Sequence, residues 1–111
     1  MSVDAEVTKL LKSAIPGDTP VLESLVRLHA DVQAQSGLDD RMYLMVRIAA
    51  LVAIDASATS YLANLTMADE VGITADDVRG VLIALGPLLG SARVLAGAEK
   101  ALAAIAAARQ M

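Results

Sequence analysis

The stretch Asp55-Ala-Ser57-Ala-Thr-Ser60-Tyr61-Leu-Ala-Asn64, running on to Gly72, stands mid-chain between the two most apolar segments of the sequence. Ser57, Ser60 and Asn64 are spaced i, i+3, i+7. At roughly 100° per residue, those positions fall within about 60° of one another on a helix. Three small polar side chains therefore share one face of a short, otherwise apolar helix. Such a trio must be hydrogen-bonded, wet, or in contact with a ligand.

Working outward, the segment before it, from Asp39 or Asp40 to about Ile54, carries Met42, Leu44, Met45, Val46, Ile48, Leu51 and Val52. It is apolar nearly all round, so it predicts a helix that is central or lies in an interface. Either aspartate places negative charge at its N-terminus. Downstream of Gly72, Thr74-Ala-Asp76-Asp77 predicts a helix start. Thr74 caps, and Asp77 takes the place of the usual Glu in a capping box. This helix carries Val78, Val81, Leu82 and Leu85, and Gly86-Pro87 is expected to stop it. A last helix is expected from about Leu88 to Arg109, with Leu95, Ala98, Leu102 and Ile105 as its packing stripe.

Upstream, Asp18-Thr19-Pro20 reads as another helix start, with the stripe Leu22, Leu25, Val26 and Val32 and a stop at Ser36-Gly37. Residues 2–15 have helical spacing in Val3, Val7, Leu10, Leu11 and Ala14 before Pro16-Gly17 breaks it. No strand pattern occurs. The expected architecture is a single-domain all-α bundle of about six helices. Residues 1–17 form an N-terminal helix or arm, and 18–111 the helical domain.

Composition narrows the function classes. The chain of 111 residues is 56% hydrophobic yet has no Phe, no Trp and no Cys. A core of Ala, Leu, Val, Ile and Met implies closely approaching helices. So much apolar surface points to a homo-oligomer. Without cysteine there is no disulfide, thiolate metal site or cysteine nucleophile. A formal charge of −4 argues against nucleic acid, which requires a basic footprint. The apolar run from Leu44 to Ile54 contains Arg47 and is shorter than the roughly 20 residues that cross a bilayer. The N-terminus carries acids and lacks the pattern of a signal peptide. A cytoplasmic protein is expected, with no membrane partner.

Few residues suggest chemistry. His29, the sole histidine, shares the stripe of Leu22 and Leu25 and has neither a second histidine nor a cysteine to serve. A packed histidine is the preferred reading over a general base, and no metal site is expected. Asp39-Asp40 and Asp76-Asp77 sit at helix starts, where capping accounts for them. Arg47, inside the most apolar helix, either clamps an anionic ligand or pairs with an acid across a subunit contact. The trio either faces a ligand or caps and braces its own helix.

The segment from about Leu38 to Ile105 resembles the carboxymuconolactone decarboxylase family, which includes the alkylhydroperoxidase-D-like proteins. The matching features are Leu38-Asp-Asp-Arg41 opening the long apolar helix, then Glu70-Val-Gly72-Ile-Thr74, Asp76-Asp77-Val78, Gly80-Val-Leu-Ile-Ala-Leu-Gly86 and Gly90-Ser-Ala-Arg93. The redox-active branch of that family carries Cys-x-x-Cys-x-x-x-His before the Gly. Counted back from Gly72, those positions are Ser57, Ser60 and Asn64, and the branch's acid falls on Met45. The decarboxylase branch has a histidine where Asn64 stands. The resemblance thus implies an alkylhydroperoxidase-D-like scaffold, assembling as a homotrimer or homohexamer, with its pocket near the subunit contact.

No catalytic residue is assigned and no cofactor is expected. An unassisted serine supplies essentially no alkoxide at neutral pH, and Asn shuttles no proton, so dithiol peroxidase chemistry is excluded at this site. The pocket candidates are Met45, Arg47, Ser57, Ser60, Tyr61 and Asn64. The leading expectation is a non-catalytic or degenerate homo-oligomer with a small vestigial ligand pocket. The alternative is a non-thiol enzyme of the lactone decarboxylase or isomerase type.

Overall fold

The computed structural model describes residues 19–110. The expected N-terminal helix or arm lies outside these residues, as do the side chains of Leu22, Leu25, Val26 and His29. Among the described residues there are five helices and no strand: α1 (Thr19–Ser36), α2 (Asp40–Ile54), α3 (Ala58–Glu70), α4 (Ala75–Leu89) and α5 (Ser91–Arg109).

The helix starts follow local chemistry. Asp39 caps α2 by accepting from the Met42 N–H, and Ser57 caps α3 by accepting from the Ser60 N–H. Each satisfies one of the orphan donors of a first turn. Thr74 and Asp77 form a reciprocal capping box at α4. Asp77 also receives Arg41 of α2 at 2.8 Å, which ties the starts of α2 and α4 together. The Arg41 guanidinium, with two bonds from Thr74, holds the Asp77 carboxyl down to about 2.

Two helix ends close by the same device. At the end of α3, the Ile73 N–H reaches the Ala68 carbonyl at 2.9 Å and the Gly72 N–H the Asp69 carbonyl at 3.1 Å. Gly72 has φ +83, the left-handed conformation this paired closure requires. At the end of α2, Ala56 donates to Leu51 and Asp55 to Val52 in the same arrangement. Here the left-handed residue is Asp55, at φ 52.

The junction between α4 and α5 differs from expectation. Gly86-Pro87 does not stop α4, which continues through Pro87 to Leu89. Pro87 removes one N–H, the one that would have met the Ile83 carbonyl. Ile83 is itself exposed. The reversal comes instead at Gly90, at φ 85.

The core gathers Tyr43, Leu44, Ile48, Leu51 and Val52 of α2 and Tyr61, Leu65, Met67 and Ala68 of α3 around α5. The packing face of α5 also departs from expectation. Gly97, Ala101 and Ala104 are buried, whereas Leu95 and Leu102 are 63% and 66% exposed. Small residues win the inner face because the helices approach closely. A Cβ at Gly97 would meet Val52 Cγ1 at 3.0 Å and the Tyr61 hydroxyl at 3.1 Å. The outer side of α2 leaves Met42, Val46 and Ile54 exposed. α1 packs beside α2, where Gln33 hydrogen-bonds Asp40, and presents Leu28 and Val32 to solvent.

Candidate functional site

Position 64 of α3 and position 47 of α2 are brought together by the packing of these two helices. Arg47 Nε donates to Asn64 Oδ1 at 2.8 Å. Asn64 is buried, and its Nδ2 donates to the Ser60 carbonyl one turn back at 2.9 Å. That second bond fixes which way the amide points, so the oxygen faces the arginine. Arg47 also donates from Nη1 to the Tyr43 hydroxyl at 3.3 Å, and its guanidinium carbon lies 5.4 Å from the Tyr43 ring centroid. An i, i+4 pair on α2 thereby holds the cation over an aromatic face.

The serines continue the chain. Ser57 Oγ accepts from the Ser60 N–H at 3.3 Å and lies 3.2 Å from Ser60 Oγ, to which it donates. Ser57 is exposed, Ser60 partly buried and Asn64 buried, so the trio runs from the surface inward. Capping and bracing of α3 accounts for the bonds of Ser57 and Ser60. Asn64 does both: it braces α3 and positions Arg47.

Two pocket candidates stand apart. Met45 is two residues from both Tyr43 and Arg47, which puts it about 160–200° around α2 from them. It packs, partly buried, against the core. Tyr61 is fully buried, with its hydroxyl against the bare backbone of Gly97 and no hydrogen-bond partner among the described residues. Burial, and secondarily the charge of Asp55, pushes that phenol up from its ordinary value. The two tyrosines thus differ in role, Tyr43 supporting Arg47 and Tyr61 filling the core.

A cavity of about 180 Å³ opens elsewhere, where the end of α3 meets the start of α4 and the end of α5. Leu65, Ile73, Val78, Ile105 and Ala108 form its apolar wall, with Asp69 and Arg109 also lining it. None of the trio lines it. Among the described residues no group of three or more His, Cys, Asp or Glu could hold a metal ion.

Sequence reasoning singled out Arg47 and Asn64 separately but did not connect them. They are 17 residues apart on different helices, and only tertiary packing joins them. It also passed over Tyr43, which i, i+4 spacing from Arg47 could have drawn in. Gly97 was missed too; its spacing from Ala101 and Ala104 is the signature of a small-residue seam.

Among the described residues no helix is long and apolar enough to cross a membrane. Comparison of the chain with protein-family models, with curated proteins and with solved structures returned no match.

Proposed function

We propose that the protein is a catalytically degenerate, homo-oligomeric member of the carboxymuconolactone decarboxylase type, a cytoplasmic trimer or hexamer that retains a small ligand pocket. The observation that carries this reading is how the hydrogen bonds at positions 57, 60 and 64 are used. Ser57 caps α3 and bonds Ser60; Asn64 bonds the Ser60 carbonyl and Arg47. Groups that elsewhere would carry a dithiol and a proton shuttle are here engaged in holding one helix and one side chain. Exposed Met42, Val46, Ile54, Ile83, Leu88 and Leu95 support assembly, since a second copy is the ordinary cover for such surface.

Size exclusion with light scattering tests assembly: a trimer or hexamer is expected, and a monomer at micromolar concentration would overturn it. No turnover of an organic hydroperoxide with a dithiol reductant is expected above the buffer rate. Turnover in metal-free protein would overturn the degenerate reading.

A second reading, a non-thiol enzyme of the lactone decarboxylase or isomerase type, is favoured by one observation. Arg47 is bonded to both Asn64 and Tyr43, which gathers a cation, an amide and a phenol in one place. Protein-dependent opening or decarboxylation of a lactone, lost in Arg47→Gln, would establish it.

A further inference from the structure

We propose that Arg47 is the receptor for a small oxyanion, a carboxylate or a phosphate, held by the guanidinium edge that meets no acceptor among the described residues. The inference deepens the ligand-pocket part of the reading above and does not depend on the assembly part.

Arg47 is the one arginine among the described residues that is not exposed. Partial burial removes water from a charge and raises the cost of leaving it without a counter-ion. Four other basic groups have partners. Arg41 meets Asp77, Arg79 meets Asp76 and Lys100 meets Asp55, while Arg93 donates to the Ala53 carbonyl. Arg47 meets no carboxylate within 4.0 Å among the described residues. This holds in a chain with thirteen acids and nine Lys and Arg. The most enclosed arginine thus has no acid among the described residues.

Its orientation is built. Asn64 is 5% exposed and locked by the Ser60 carbonyl, so it takes Nε in a fixed direction. The Tyr43 hydroxyl takes one Nη1 hydrogen, and the Tyr43 ring lies against the cation. With Nε committed, the side-on fork of Nε and Nη2 is closed. Among the described residues neither Nη2 nor the second Nη1 hydrogen meets an acceptor, which leaves the end-on edge of Nη1 and Nη2. Two parallel N–H donors at that edge match the two oxygens of a carboxylate or two of a phosphate. Val46 and Ala50, the neighbours of Arg47 on the outer side of α2, carry no charge that would compete for it.

The test is a titration of the full-length protein, followed by NMR at the Arg47 Nε–H and the Asn64 side-chain amide. Sodium acetate and sodium phosphate are added in separate arms at constant ionic strength, with sodium chloride as the reference. Saturable shifts at both groups with acetate or with phosphate support the proposal, and the stronger arm names the class. Arg47→Gln is expected to weaken that binding at least tenfold, while Arg79→Gln leaves it unchanged. Arg47→Lys keeps the charge without the fork and is expected to lose at least fivefold with the fold intact by circular dichroism. Shifts that are linear and equal to those with chloride overturn it. So does an unresponsive Arg47 whose replacement by Gln lowers the mass by light scattering, because the counter-ion is then an acid of a second copy. A monomeric wild type that still binds the anion would refute the assembly and leave this site standing.

Discussion

The corners that follow α2 and α3 make the same turn with different residues. Both end in a paired closure, from residue 56 back to 51 and from residue 73 back to 68. Both need one residue in the left-handed region. After α3 that residue is Gly72, for which the conformation is free of side-chain strain. After α2 it is Asp55, for which it is not. The Asp55 corner has support that spans the fold. Lys100 of α5 reaches Asp55 Oδ1 at 2.9 Å and the Ala56 carbonyl at 2.8 Å, and Arg93 reaches the Ala53 carbonyl at 2.8 Å. Two cations thus sit at the negative end of α2, where its last carbonyls lack helical partners. A glycine closes a turn by itself; an aspartate closes it while also holding a distant helix.

The largest break in this comparison is expected at Gly72. Open space surrounds its Cβ position, so a side chain there meets only the backbone conformation. Gly72→Val should lower stability by about 2 kcal/mol in urea unfolding. A loss below about 0.5 kcal/mol would mean that the turn relaxes out of the left-handed region.

At the other corner the informative pair is Asp55→Gly against Asp55→Ala. Both delete the ion pair with Lys100, and they differ only in backbone strain. Glycine should therefore be more stable than alanine by about 1 kcal/mol. Equal stabilities would show that residue 55 is not held left-handed in solution.

The smallest effect is the acid response. Lys100 holds the Asp55 carboxyl below its ordinary value, as Arg41 and Thr74 hold Asp77 at about 2. A depressed carboxyl contributes stability that is present above the unfolded value near 3.8 and lost as pH falls through the folded one. Stability should thus decline from about pH 5 towards pH 2. Asp77→Asn should shallow the decline more than Lys100→Met, because Asp77 has more donors. Unfolding curves across that range measure it, and identical slopes in the three proteins would remove these carboxyls as the cause.

Much of this was legible in the sequence. Caps are short-range chemistry, and Asp39, Ser57, Thr74 with Asp77, and Gly72 declared themselves by residue type and spacing. What failed were inferences that ranked residues by hydrophobicity or read a breaker in isolation. Leu95 and Leu102 look like a core stripe, yet Gly97, Ala101 and Ala104 face inward, because the space available there selects for size. Gly86-Pro87 looks like a stop, yet a proline in the last turn removes only one helical bond and the helix runs on. For the site, residue type marked Arg47 and Asn64, and the trio's spacing left two readings open, a ligand-facing trio or one that caps and braces its own helix; the Asn64 bond to the Ser60 carbonyl belongs to the second. The bond between them depends on how α2 and α3 cross, which no local pattern records. Met45 joined the candidates through the resemblance, and helix geometry turns it away from Arg47.

Gly97 also acts as a keyway. It is the single glycine in α5, and the hydroxyl of Tyr61 and the methyls of Val52 occupy the notch that its missing side chain leaves. Sliding α5 by one turn towards either end would bring Arg93 or Ala101 to that notch, and both carry the Cβ for which there is no room. The longitudinal position of the last helix, and with it the reach of Lys100 and Arg93 to the Asp55 corner, is set by the absence of one methyl group.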